Sequence, residues 1–164
     1  MEVIKREIYL KRLIEHRENG LIKVVTGIRR CGKSYLLFKL YYQYLLDSGI
    51  DASRTIRIPL DDEDYKDLRD SKQLNSYVKK HITDEGMWYV FLDEVQMCKG
   101  FESVLNGLNR KENLDIYVTG SNSKFLSSDV LTEFRGRGDE VRIYPLSFSE
   151  YVSAYSGDKY ASCI

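Results

Sequence analysis

Residues 27 to 34 read Gly-Ile-Arg-Arg-Cys-Gly-Lys-Ser, and this octet restricts the possible folds more than any other stretch of the chain. It satisfies the pattern G-x-x-x-x-G-K-[ST], which a chain of this length meets by chance about once in two hundred cases. The flanks narrow the reading further. Leu21 to Thr26 is a short β-rich run leading in, and Tyr35 to Leu46 is a helical run leading out. A strand, a glycine loop and a helix in that order form the unit that cradles phosphate at the edge of a parallel sheet.

The chemistry of the loop follows from its residue types. Gly27 and Gly32 permit backbone angles and close approaches that a Cβ would block, so successive N–H groups can turn inward toward phosphate oxygens. The helix opening near Lys33 adds the positive end of its dipole. Lys33 is expected to reach the β- and γ-phosphates, and the Ser34 hydroxyl to ligate Mg²⁺. The expected nucleotide-binding set is therefore Gly27, Ile28, Arg29, Arg30, Cys31, Gly32, Lys33, Ser34 and Tyr35. The competing reading, a glycine turn opening a helix with an exposed lysine, does not explain the full pattern.

Composition excludes several classes. The 164 residues suffice for one domain with a real core, and 43% hydrophobic with 30% charged residues is a globular balance. Lys plus Arg equals Asp plus Glu at 25 each, so no basic field advertises nucleic acid. No apolar run approaches the roughly 18 residues of a membrane span, and the N-terminus lacks a signal-peptide layout. Three widely spaced cysteines argue against a disulfide framework and point to a reducing, cytoplasmic setting. Cys31 lies inside the loop. A small residue that fits is the plainer reading than a redox switch, yet its alkylation is expected to weaken nucleotide binding.

Periodicity predicts alternating helices and strands. Ile8, Leu10, Leu13 and Ile14 mark an amphipathic helix over 5–17, and strands are expected at 21–26, 54–60, 88–92, 114–118 and about 140–144. The unbroken run Trp88-Tyr-Val-Phe-Leu92 suits a strand buried on both faces. Helices are expected over 33–47, stopped by Ser48-Gly49, around Leu74 to Ile82, and over Phe101 to Leu108. A short one begins near Ser128 and stops at Gly136. Such alternation means an α/β fold with a mostly parallel sheet and helices on both faces. The loop, Asp93-Glu94 and Ser121-Asn122 all follow strands, which places them on one rim, where ligands of such sheets sit.

On that rim Asp93 suits the second half of a magnesium site, and Glu94 suits polarising an attacking water. Thr119-Gly-Ser-Asn122 either touches the γ-phosphate or orients the attacking water, or is a simple turn. Arg135 and Arg137 either stabilise charge on a transferring phosphoryl group, supplied by a neighbouring subunit, or sit in a surface loop. The acidic run 61–64 reads as a solvated loop, and His16 and His81 as ordinary surface residues.

Together, T-G-I-R-R-C-G-K-S at 26–34, F-L-D-E-V-Q at 91–96, T-G-S-N-S at 119–123, G-R at 136–137 and P-L-S-F-S-E-Y at 145–151 closely resemble the prokaryotic AAA-type ATPases of AAA-domain family fourteen. The resemblance spans about Arg6 to Tyr151. It implies an ASCE-type P-loop NTPase with a five-stranded sheet in the order 5-1-4-3-2. Lys33 and Ser34 then take the Walker A role, Asp93 the Walker B magnesium role and Glu94 that of catalytic base. Asn122, with Ser121 second, falls at sensor 1, and Arg137, with Arg135 second, at the arginine finger. The expected organisation is an ATPase domain over 1–151, with an N-terminal helical segment at 1–20 and the core at 21–151, and a polar tail over 152–164. Family members continue into a winged-helix-like segment and a nuclease-like domain, so the chain reads as a fragment of a longer protein.

The expected function is Mg²⁺-dependent ATP hydrolysis in a homo-oligomer joined through Arg137, with DNA contacts only through regions beyond the chain and none with membrane. The alternative is a regulatory switch that binds ATP with little turnover, within a DNA-associated or defence system. A small-molecule kinase fits the acidic pair less well, and no N-K-x-D sequence for guanine recognition occurs.

Overall fold

The structure is a computed structural model that describes residues 6–28, 31–121, 134 and 136–144. The elements are α1 (Glu7–Glu15), β1 (Ile22–Thr26), α2 (33–47), β2 (Thr55–Pro59), α3 (Ser71–His81), β3 (Trp88–Asp93), α4 (Phe101–Asn109), β4 (Leu114–Gly120) and β5 (Gly138–Arg142). Their sheet order is β2-β3-β4-β1-β5. Every pairing between neighbours is parallel. This is the expected order, read from its other end.

Alternation along each strand divides the core into two layers. Val24, Val90, Leu92, Ile116 and Val118 pack with Leu74 and Val78 of α3 and with Phe101, Val104, Leu105 and Leu108 of α4. Their neighbours Val25, Tyr89, Phe91 and Tyr117 face the other way, against Leu13 of α1 and Leu36, Leu37, Tyr41 and Leu45 of α2. Residues in β1, β3 and β4 are buried throughout, as strands covered on both faces are; Trp88 to Leu92 in β3 is an unbroken apolar run, whereas β1 and β4 also bury Lys23 and Asp115. Each large aliphatic or aromatic side chain buried here contributes roughly 1.5–3 kcal/mol. The parallel arrangement brings all five carboxyl ends to one rim.

The α2 region departs from a plain α-helix. Helical turns at Lys33–Tyr35 and Tyr42–Asp47 flank a π-helical segment, Leu36–Tyr41. The segment ends on Tyr41, whose hydroxyl meets that of Tyr117 at 2.5 Å. Such π turns are frequent beside functional sites. Below them, at the amino ends of the strands, the fully buried Lys23 pairs with Asp115 and donates to Asn19 Oδ1 at 3.1 Å. Tyr117 donates to Asp115 Oδ2 at 2.6 Å, and Tyr89 to Glu18 Oε1 at 2.6 Å. Burial pushes the Tyr41, Tyr89 and Tyr117 phenols above their ordinary range, so all three remain neutral donors.

Other expectations need correcting at their edges. β5 occupies 138–142, not 140–144, because its pairing with β1 starts at Ile22↔Gly138. His16 is not an ordinary surface residue, since its Nδ1 pairs with the Asp139 carboxylate at the start of β5. Residues 61–64 are exposed as expected, yet Glu63–Arg69 winds into a 3-10 helix capped by Asp62, whose carboxylate accepts the Asp64 N–H. The helix expected from Ser128 lies mostly outside the described residues.

Candidate functional site

The glycine-rich loop leaves β1 at Thr26 and enters α2 at Lys33. Gly27 is irreplaceable on steric grounds: a Cβ there would lie 2.6 Å from both the Cys31 sulfur and the Ile143 carbonyl oxygen. Gly32 sits in the left-handed region at φ 94°, where it ends the loop and caps α2. Cys31 is buried and fills the space over Gly27.

Lys33 is only 4% exposed, and its ammonium donates to the carbonyls of Gly27 at 3.1 Å and Ile28 at 2.9 Å. The loop thus curls around the lysine. Ser34 opens the first turn of α2 and reaches across to β3. Its hydroxyl lies 2.8 Å from each carboxylate oxygen of Asp93. Thr119 at the end of β4 also donates to Asp93 Oδ1, at 2.5 Å. Burial pushes the Asp93 carboxyl up from its ordinary value, the Thr119 and Ser34 hydrogen bonds oppose the rise, and the charges of Asp61 and Glu94 add to it.

Glu94 follows Asp93 with φ 52° and ψ 52°, a left-handed conformation that costs a non-glycine residue on the order of 1–3 kcal/mol. The surrounding hydrogen bonds offset that cost. The Glu94 N–H donates to Thr119 Oγ1 at 2.9 Å, and its Oε2 accepts from Ser121 Oγ at 2.9 Å and from the Gln96 amide. Thr119 therefore orients both acidic residues, one through its hydroxyl proton and one through its lone pair.

The structure brings Lys33, Ser34, Asp93, Glu94 and Ser121 together on the rim. Asn122, Arg29, Arg30 and Arg135 lie outside the described residues. Tyr35 is half-buried in the first turn of α2. Arg137 stands apart from this group. It is exposed and precedes β5, where its carbonyl accepts the Ile22 N–H at 2.6 Å. It therefore lies at the amino edge of the sheet, one strand length, about 16 Å, from the loop of its own chain.

Three residues of the site are not visible as such in the sequence. Gln96, two residues beyond Glu94, holds its carboxylate; the spacing offered a signal, but polar residues after a strand are common. Thr119 was expected only as part of a polar strand end. Arg6 is 3% exposed and donates through Nη1 to the Cys31 carbonyl at 2.7 Å. Nothing local distinguishes it from Arg12 and Arg17 nearby.

Known proteins bear on the fold and the family. A family model described as an AAA domain matches residues 19–152. A Haemophilus influenzae protein of uncharacterised function is 34% identical over 157 residues, 95% of this chain and 39% of the relative. An uncharacterised Methanocaldococcus jannaschii protein is 33% identical over 155 residues, covering 92% of this chain and 31% of its own length. The chain thus spans about a third of the length of the curated relatives it matches. Among solved structures, Cdc6p from Pyrobaculum aerophilum superposes with a TM-score of 0.63 at 12% identity, over 93% of this chain and 48% of that one. Aeropyrum pernix ORC1 in complex with DNA gives 0.63 at 14% identity, over 91% and 47%. AMPPCP-bound DnaA from Aquifex aeolicus gives 0.52 at 19%, over 87% and 46%. At these identities the solved structures speak for the fold, which is that of the AAA-type P-loop ATPases. The chain belongs to the AAA-domain family whose model it matches.

Proposed function

We propose that this AAA-family chain binds ATP with Mg²⁺ at the 27–34 loop and hydrolyses it, with Arg137 of a neighbouring copy completing the site. The observation that carries the reading is the Ser34–Asp93 bridge, which joins the loop to the end of β3 beside Glu94. The residues fit the nucleotide: Gly27 and Gly32 let the loop turn tightly where a side chain at Gly27 would strike the Cys31 sulfur and the Ile143 carbonyl, and Lys33 is already held inside that turn. Ser34 and Asp93 supply the hard oxygen ligands that Mg²⁺ takes alongside phosphate and water.

Bound ATP·Mg²⁺ supplies the electrophilic γ-phosphorus and the leaving group. The chain supplies position and charge. Lys33 moves from loop carbonyls to phosphate oxygens, exchanging neutral acceptors for charged ones. Glu94 accepts the proton of the attacking water at its carboxylate, and the Ser121 and Gln96 contacts fix where that carboxylate lies. Asn122 is assigned to orient the same water. Arg137, remote from its own loop, suits stabilisation of a neighbour's phosphoryl charge. Hydrolysis that depends on Mg²⁺, falls in Glu94→Gln and rises in specific activity with protein concentration supports this reading. Turnover unchanged in Glu94→Gln would refute the assignment of the base.

The second reading, an ATP-binding switch with slow turnover, draws on the same Glu94 contacts. Ser121 and Gln96 both bond to Oε2 of Glu94, so that oxygen gives up a bond before it takes a proton, whereas Oε1 carries neither contact.

A further inference from the structure

We propose that Arg6 is a positioning residue of the nucleotide loop and that Arg6 and Tyr9 together tie the loop to the exit of β5. The inference rests on the nucleotide reading of the loop and deepens it. Arg6 stands just before α1, almost wholly buried, with its guanidinium spread between two distant backbone segments. Nη1 donates to the carbonyl of Cys31 at 2.7 Å, and Nη2 to the carbonyl of Tyr144 at 2.6 Å. The guanidinium lies 4.6 Å from the centre of the Tyr9 ring, which keeps its plane oriented. Tyr9, one helical turn further on, accepts the Tyr144 N–H on its hydroxyl at 3.3 Å. Both backbone groups of Tyr144 are therefore held by the residue pair that also holds the loop.

The consequence for the loop follows from the planarity of the peptide bond. In a trans peptide the C=O and N–H point in opposite directions. Pinning the Cys31 carbonyl toward Arg6 fixes the Gly32 N–H on the opposite face. That face is the phosphate side of the loop in the proposed site. The other end of the loop is braced by the same segment: the Ile143 carbonyl abuts Gly27, and the Ile143 N–H donates to Thr26 at 2.8 Å. Residues 143 and 144 thus touch both ends of the loop, directly at Gly27 and through Arg6 at Cys31. A change in the loop on nucleotide binding is passed to the backbone at the end of β5 through these contacts. Lysine in place of Arg6 keeps the charge but lacks the fork needed to span two carbonyls.

The test compares the unsubstituted protein with Arg6→Lys and Tyr9→Phe, using ATP affinity, thermal unfolding and amide hydrogen exchange with the non-hydrolysable analogue AMPPCP. Arg6→Lys is expected to unfold cooperatively and to bind ATP at least tenfold more weakly. Tyr9→Phe, which removes one hydroxyl, is expected to speed exchange at the Tyr144 amide. In the unsubstituted protein AMPPCP should slow exchange at the loop and at Tyr144 together. Native ATP affinity in folded Arg6→Lys would overturn the positioning role. If Arg6→Lys fails to fold, the exchange experiments decide: loop protection by AMPPCP without any change at Tyr144 would overturn the proposal. Failure of the unsubstituted protein to bind ATP or AMPPCP would instead refute the nucleotide reading itself.

Discussion

The Ser34 hydroxyl sits 2.8 Å from both oxygens of the Asp93 carboxylate, joining residues 59 positions apart in the chain. This contact sets the spacing between the glycine-rich loop and the end of β3. Asp93 is buried, and its carboxyl is raised by that burial, so the ionised form carries a cost within the fold. In the proposed site, Ser34 and Asp93 would hold the cation, and its charge would offset that cost.

Asp93→Asn follows from this balance. A carboxyl whose folded pKa is raised costs the fold stability once pH exceeds its ordinary unfolded value, increasingly so up to the folded one, and a neutral amide of the same shape removes the penalty. The variant should melt at the same temperature as the unsubstituted protein or higher at pH 7, while losing the gain in ATP affinity that Mg²⁺ brings. Calorimetry with and without Mg²⁺ checks both. An Mg²⁺ effect retained in full would remove Asp93 from the cation site.

Glu94→Gln should keep ATP binding and lower turnover by roughly 10²-fold or more, the range of general-base contributions. Replacing Gln96 or Ser121 with Ala frees the carboxylate from one partner. If the two contacts restrain Glu94, either change raises turnover; if they orient it productively, turnover falls. Steady-state hydrolysis rates separate the two readings of the site.

The buried pair Lys23–Asp115 makes a prediction about stability alone. Lys23→Met leaves the Asp115 charge in the core with hydroxyl and amide partners only, and loss of one partner from a buried pair costs about 3–5 kcal/mol. The denaturation midpoint in urea should fall accordingly. A shift smaller than that expected for about 1 kcal/mol would show that the tyrosine network sustains the carboxylate by itself.

How much of this was legible in sequence depends on how local each cause is. β3 could be read from Trp88 to Leu92 because burial on both faces leaves an unbroken apolar run. Lys33, Ser34, Asp93 and Glu94 could be placed on one rim because parallel strands bring their carboxyl ends together. The π segment of α2 could not be read, since helical periodicity does not separate it from α-helix and its Tyr41 bonds to Tyr117, 76 residues away. Nor could the clamp, because Arg6 acts on Cys31 and Tyr144 at separations of 25 and 138 residues. Lys23 looked like any charge in a β-rich run until Asp115 met it in the core.

The cysteines differ in ways that labelling can detect. Burial pushes the Cys98 thiol up to about 11, so thiolate is scarce at pH 8 and Cys98 should react slowly in the folded protein. Cys31 packs over Gly27, and an added alkyl group has no room there. Protein alkylated at Cys31 should therefore lose ATP affinity. Unchanged affinity in fully modified protein would contradict the geometry described for the loop.

ATP binding to the intact chain and to Lys33→Ala, titrated with and without Mg²⁺, tests the central claim most directly. The unsubstituted protein should bind one ATP per chain, more tightly with Mg²⁺, and Lys33→Ala should lose roughly 100-fold or more in affinity. Equal affinity in Lys33→Ala, or no saturable binding by the unsubstituted protein, would contradict it.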